Sequence, residues 1–182
     1  MFIQTEQTPN PATLKFLPGC TVMESGTANF TDAAAAATRS PLAERLFGLP
    51  EVSGIFLGSD FITVSKSGDN DWFQLKPAVL AAIMEHFTAG LPVITGTPEA
   101  AAAETEDSEI VAAIKELLET RVRPAVAQDG GDIIFEDFED GIVYLHMQGS
   151  CSGCPSSTAT LKSGIENMLR HYIPEVLEVR AV

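Results

Sequence analysis

Cys151-Ser152-Gly153-Cys154 sets two thiols three positions apart. Thiolates at that spacing can bind a metal, hold a metal-sulfur cluster, or cycle between dithiol and disulfide. The remaining cysteine, Cys20, is far away in the chain, and the total of 3 is odd. The opening residues, Met1-Phe2-Ile3-Gln4-Thr5-Glu6, have neither the basic region and apolar stretch of a secretion signal nor the Arg-rich amphipathic character of a transit peptide. A disulfide framework is therefore not expected.

Three chemistries fit the pair. A dithiol oxidoreductase of the thioredoxin kind needs a βαβ unit before the dithiol, or a hairpin and helix after it. The segment before Cys151 reads as a hairpin, and only residues 173–182 follow the helix after it. Structural zinc normally takes four ligands, yet the histidines in this half, His146 and His171, read as surface or partly packed residues. The zinc-deaminase signature is missing its His-x-Glu, and Pro155 follows the pair instead of preceding it. An iron-sulfur cluster usually takes four thiolates, which two chains would supply if each gave Cys151 and Cys154. That arithmetic implies a dimer and a labile cluster, suited to a donor.

The surrounding elements give the pair its setting. Ile142 to Met147 alternates like a strand, with Val143, Leu145 and Met147 on one face and Ile142, Tyr144 and His146 on the other. Leu161, Ile165, Met168, Leu169 and Tyr172 mark a helix that Pro155 would open. A helix N-terminus favours negative charge, so both thiols are expected to ionise easily, and Gly149 and Gly153 leave room for a bulky inorganic group. Upstream, Ile110 to Val122 is helical as far as Pro124, Asp129-Gly130-Gly131-Asp132 is a turn, and Ile133 to Phe138 pairs with Ile142 to Met147 around Glu139-Asp140-Gly141. Val176 to Val182 is a final strand. The order is helix, strand, strand, helix, strand.

The first half carries strands at Phe2 to Thr8 and Thr13 to Leu17, a short helix capped by Ser40-Pro41, and a hairpin of Val52 to Leu57 with Phe61 to Ser65. A helix from Pro77 buries Leu80, Ile83, Met84 and Phe87. Between the halves, Gly96 to Asp107 contains no large apolar residue and reads as a semi-rigid linker. The expected fold is therefore α/β in the α+β sense, with two small mixed domains at 1–95 and 108–182 and the linker at 96–107.

Composition narrows the partners. Against 25 acidic residues stand 11 Lys and Arg, a net charge of −14 spread along the chain, which would repel nucleic acid and an anionic membrane surface. No apolar run approaches the roughly 20 residues needed to cross a bilayer.

Arg123-Pro124-Ala125-Val126, Gln128-Asp129-Gly130-Gly131-Asp132 and Gly149-Ser150-Cys151-Ser152-Gly153-Cys154-Pro155-Ser156-Ser157 resemble the NifU C-terminal domain of Nfu-type proteins. Gln4-Thr5-Glu6-Gln7-Thr8-Pro9-Asn10-Pro11 with Leu14-Lys15-Phe16 is similar to the N-terminal domain of the bacterial and mitochondrial members. The resemblance implies a non-enzymatic iron-sulfur cluster scaffold or carrier. It implies a [4Fe-4S] cluster, with [2Fe-2S] as an alternative form, bridging a homodimer through Cys151 and Cys154. It further implies upstream cluster-assembly proteins and client apoproteins as partners, a partner-binding role for the first domain, and no cluster role for Cys20; Lys162, one helical turn after the motif, reads as a solvated side chain. The compartment expected is the cytoplasm, or the mitochondrial matrix if the chain is a processed form. The thiol-disulfide oxidoreductase reading of Cys151 and Cys154 stays as the alternative.

Overall fold

The computed structural model describes residues 1–69, 71–95, 108–152 and 155–182, with backbone only over 155–158. The linker read over 96–107 lies outside the described residues, as does Cys154. The first half builds a five-stranded antiparallel sheet in the order β1-β2-β5-β4-β3, from β1 Gln4–Gln7, β2 Thr13–Leu17, β3 Ala28–Phe30, β4 Val52–Leu57 and β5 Ile62–Lys66. Leu14, Phe16, Ile55, Leu57, Ile62 and Val64 project from one face onto the helices α2 Pro41–Phe47 and α3 Trp72–Thr88, forming one core with Leu42, Leu46, Val79 and Ile83. Ser40 caps α2 as its sequence suggests, with its hydroxyl accepting from Ala43 N–H and donating to the Val93 carbonyl.

Some elements differ from expectation. Helix α1, Ala33–Arg39, and strand β3 have too few large apolar residues to reveal a period; α1 buries only Ala36. Helix α3 begins before Pro77, at Trp72. Proline removes the amide bond to the carbonyl four residues back, on the exposed Phe73, where water can substitute. Its buried face holds Leu75, Val79, Ala82, Ile83 and His86, with Leu80 and Phe87 half-buried against the same core as expected, while Met84 is exposed.

The second half opens with α4 Glu109–Leu117, capped by Ser108, and runs through a π-helical turn, Leu118–Val122, into α5 Arg123–Gln128. Pro124 was expected to break or kink this helix. Instead the wide turn, in which Arg123 N–H bonds the Leu118 carbonyl, carries the chain past the proline. Strands β6 Gly131–Glu139 and β7 Ile142–Gly149 form the expected hairpin, turning at Asp140 and Gly141, both with positive φ. After β7 comes α6 Pro155–Tyr172, and β8 Glu178–Ala181 then pairs parallel to β7. Ile133, Val143, Leu145, Met147, Ile165, Leu169 and Val179 close a second core. The architecture is mixed α and β, with two sheets.

Candidate metal-cluster site

The β7–α6–β8 crossover places Cys151 just beyond the last residue of β7, ahead of the N-terminus of α6. Beside it runs the start of β6, where Gly131 pairs with Gly149. A Cβ on Gly131 would stand 2.5 Å from the Cys151 sulfur and 2.9 Å from the Gln148 carbonyl. Glycine is therefore the residue that admits the thiol here. Ser150, also buried, donates its hydroxyl to the Asp129 carbonyl, and its amide bonds the Gly130 carbonyl at 3.2 Å, so the two loops are laced together around the cysteine.

Cys151 is only 7% exposed. Burial pushes its thiol from 9.0 up to about 11; Ser150 pulls it back by a hydrogen bond, and the charges of Asp129 and Asp132 add to the rise. The expectation that this thiol ionises easily is thus overturned. Loss of water is the largest cause of the rise.

Asp132, read as part of a turn, is the main surprise. Its side chain is 4% exposed, and it receives a two-pronged grip from Arg123, with Nε to Oδ1 and Nη2 to Oδ2 both at 2.8 Å. It also accepts from its neighbour's amide, Ile133 N–H, at 2.8 Å, and from Thr27 Oγ1 of the first half at 2.9 Å. The pairing raises the Arg123 pKa further, chiefly through the hydrogen bond to Asp132. Arg123 and Asp132 are nine positions apart, at the start of α5 and near the start of β6. Only the fold makes them neighbours.

The remaining candidates stay apart. His146 is half-buried on β7, and His171 is exposed on α6 with its ring edge against Tyr172. Lys162 lies 3.9 Å from Glu178, and Cys20 is half-buried in the first half. Among the described residues no group of three or more His, Cys, Asp or Glu side chains could hold a metal ion.

A buried cysteine thiol at a strand-to-helix junction, packed against glycine beside an Arg–Asp pair whose carboxylate is buried, in a mixed fold with two sheets, is the frame of a thiol-bearing scaffold protein. Residues 3–90 match the scaffold protein Nfu/NifU N-terminal family, and residues 114–180 match the NifU-like domain family. The chain belongs to the Nfu/NifU scaffold-protein family. It is 56% identical over 184 residues to the human NFU1 iron-sulfur cluster scaffold homolog, mitochondrial, an alignment that takes in 100% of this chain and 72% of that protein. It is 55% identical to the mitochondrial NifU-like protein 4 of Arabidopsis thaliana, covering 97% of this chain and 64% of that protein. A solution structure of a NifU-like protein from Saccharomyces cerevisiae overlays 53% of this chain and 87% of its own, with 28% identity and a TM-score of 0.47.

Proposed function

We propose that this chain is an iron-sulfur cluster scaffold and carrier that holds a [4Fe-4S] cluster between two copies of itself. Each copy supplies Cys151 and Cys154, and a [2Fe-2S] cluster on the same ligands is an alternative form. The observation that carries the reading is the half-site: a thiol seated on Gly131 at the β7–α6 junction, with no group of three or more ligating side chains able to hold a metal among the described residues. Family membership supports the scaffold role. The ligand role of Cys154 rests on the motif and the resemblance.

Release is ligand exchange and needs no redox step. Each client thiol gives up its proton as it binds iron, and each cysteine left behind takes one up. Because Cys151 is protonated at neutral pH, loading likewise expels a proton. The same protonation makes Cys151 a poor attacking group for the oxidoreductase alternative, whose nucleophile must be a thiolate.

The chain is proposed to act as a non-enzymatic carrier between upstream assembly proteins and client apoproteins. Its proposed organisation is a first domain at 1–95, a linker at 96–107 and the cluster domain at 108–182. The human and Arabidopsis relatives are named as mitochondrial, which favours the mitochondrial matrix over the cytoplasm. Anaerobic reconstitution with iron and sulfide tests the site. The expected product is brown, has one cluster per two chains, and has twice the mass of the metal-free protein. A Cys154→Ser protein that kept its full iron and sulfide content would sink the proposal.

A further inference from the structure

The first sheet has a second face. Register aligns Glu6, Lys15, Thr63, Phe56 and Asn29 in one row across all its strands, opposite the face that meets the helices. A row with lysine, glutamate, threonine and asparagine belongs in water. Yet Lys15 and Thr63 are buried, as are Phe56 and the neighbouring Thr13 and Asn10.

What covers them is the pair of loops around Cys151. Lys15 Nζ donates to the Gln128 carbonyl at 3.0 Å, Thr63 Oγ1 to the Gly130 carbonyl at 2.7 Å, and Asn10 Nδ2 to the Ser152 carbonyl at 3.2 Å. Thr27 reaches Asp132 from the same sheet's far side. Phe56 lies against Gly149, where an added Cβ would sit 3.1 Å from its ring.

We infer that the first sheet is a detachable cap on the cluster site of its own chain. Resting on the proposed function, the inference is that the metal-free protein is held closed as a monomer and that the cap must leave before a second copy can bring its cysteines to the same loops. The contacts flank Cys151 at Gly130, Gly149 and Ser152, so a docked cap and a docked partner exclude each other. The contacts are also suited to opening. Three of the four hydrogen bonds run from side chains of the cap to main-chain carbonyls of the loops, where water can replace either partner, and the fourth joins Thr27 to the Asp132 carboxylate. A cleft of about 280 Å³, lined by Asn10, Thr13, Ser65, Gly149 and Ser152 among others, runs between the two surfaces, unlike the filled interior of a permanent core.

The test uses the full chain in a Cys20→Ser background. A Lys15→Ala, Asn10→Ala protein should expose Cys151 to N-ethylmaleimide about five- to thirtyfold faster, the factor that losing two ordinary hydrogen bonds makes in an open-to-closed ratio. Its initial rate of cluster uptake should rise while its final iron and sulfide content stays that of the parent. Small-angle scattering of the loaded parent should give more extended protomers than the metal-free form. Thr63→Val, which keeps the side-chain shape and deletes one bond, should shift the alkylation rate in the same direction and guards against misfolding of the double variant. Alkylation at the parental rate in both variants, or an unchanged protomer shape on loading, overturns the cap. Loss of cluster from the Cys154→Ser protein is unaffected by either result, so the cap and the cluster site stand or fall separately.

Discussion

Arg123 grips Asp132 through two parallel N–H···O bonds of 2.8 Å, tying the start of α5 to β6 directly beside the loop that carries Cys151. The carboxylate is nearly sealed from water, whereas the guanidinium is about one-third exposed. Among the described residues, Arg123→Ala would leave a buried carboxylate with Thr27 and the Ile133 amide to solvate it. Stability should fall by about 3 kcal/mol, the low end for breaking a buried pair because Arg123 is partly wet. Arg123→Lys keeps the charge but loses the fork, and should lie between the two. Urea unfolding followed by circular dichroism measures both.

Gly131→Ala puts a methyl group into the space of the Cys151 sulfur and the Gln148 carbonyl. Overpacking of this kind typically costs about 1–3 kcal/mol. The larger effect should be on the site, because either the thiol or the strand must move. Cluster content after reconstitution should drop well below that of the parent while the circular dichroism spectrum is retained. Full cluster content in this variant would remove Gly131 from the site.

His86 lies fully buried on α3, and among the described residues neither ring nitrogen has a partner in good hydrogen-bond geometry, the Pro92 and Leu91 carbonyls being only loosely placed. Burial, and then the charge of Arg45, hold its pKa below the ordinary 6.5, with the carbonyls of Pro92 and Leu91 offsetting part of the shift. The unfolded chain therefore takes up this proton first. The full contribution to stability is present above 6.5 and declines as pH falls from there toward the lowered folded value. The lone tryptophan, Trp72, begins the same helix and reports on the first half. Its urea midpoint should fall between about pH 7.5 and about pH 5.5, and His86→Leu should remove the part of that fall due to this residue.

Ser40 joins two elements with one hydroxyl, accepting from Ala43 N–H at 3.1 Å and donating to the Val93 carbonyl at 2.6 Å. Ser40→Ala loses a helix cap and strands a carbonyl together. A loss of about 2 kcal/mol, the upper end for a cap, is expected in the Trp72 transition.

Much of this architecture was legible in the residues. Strand alternation around Val143, Leu145 and Met147 and the Ser40-Pro41 cap are short-range signals, and the structure follows them. The failures have physical causes. Ala33–Arg39 folds as a helix on alanine propensity with hardly any apolar period. Pro77 and Pro124 read as helix limits, yet one sits where its lost bond faces water and the other beyond a π turn. Of the site, the Cys-x-x-Cys spacing was visible, but the high pKa of Cys151 was not. Burial depends on Gly131 and on the packing of the whole loop, and the Arg123–Asp132 grip needs α5 and β6 to meet first.

The polar row of the first sheet also bears on how the protein is made. Translation runs from the N-terminus, and domains generally fold as they emerge. Every residue of the Lys15–Thr63 surface precedes Cys151 in the chain, so a first half that folds as it emerges would present this surface, polar except for Phe56, before the thiol is made.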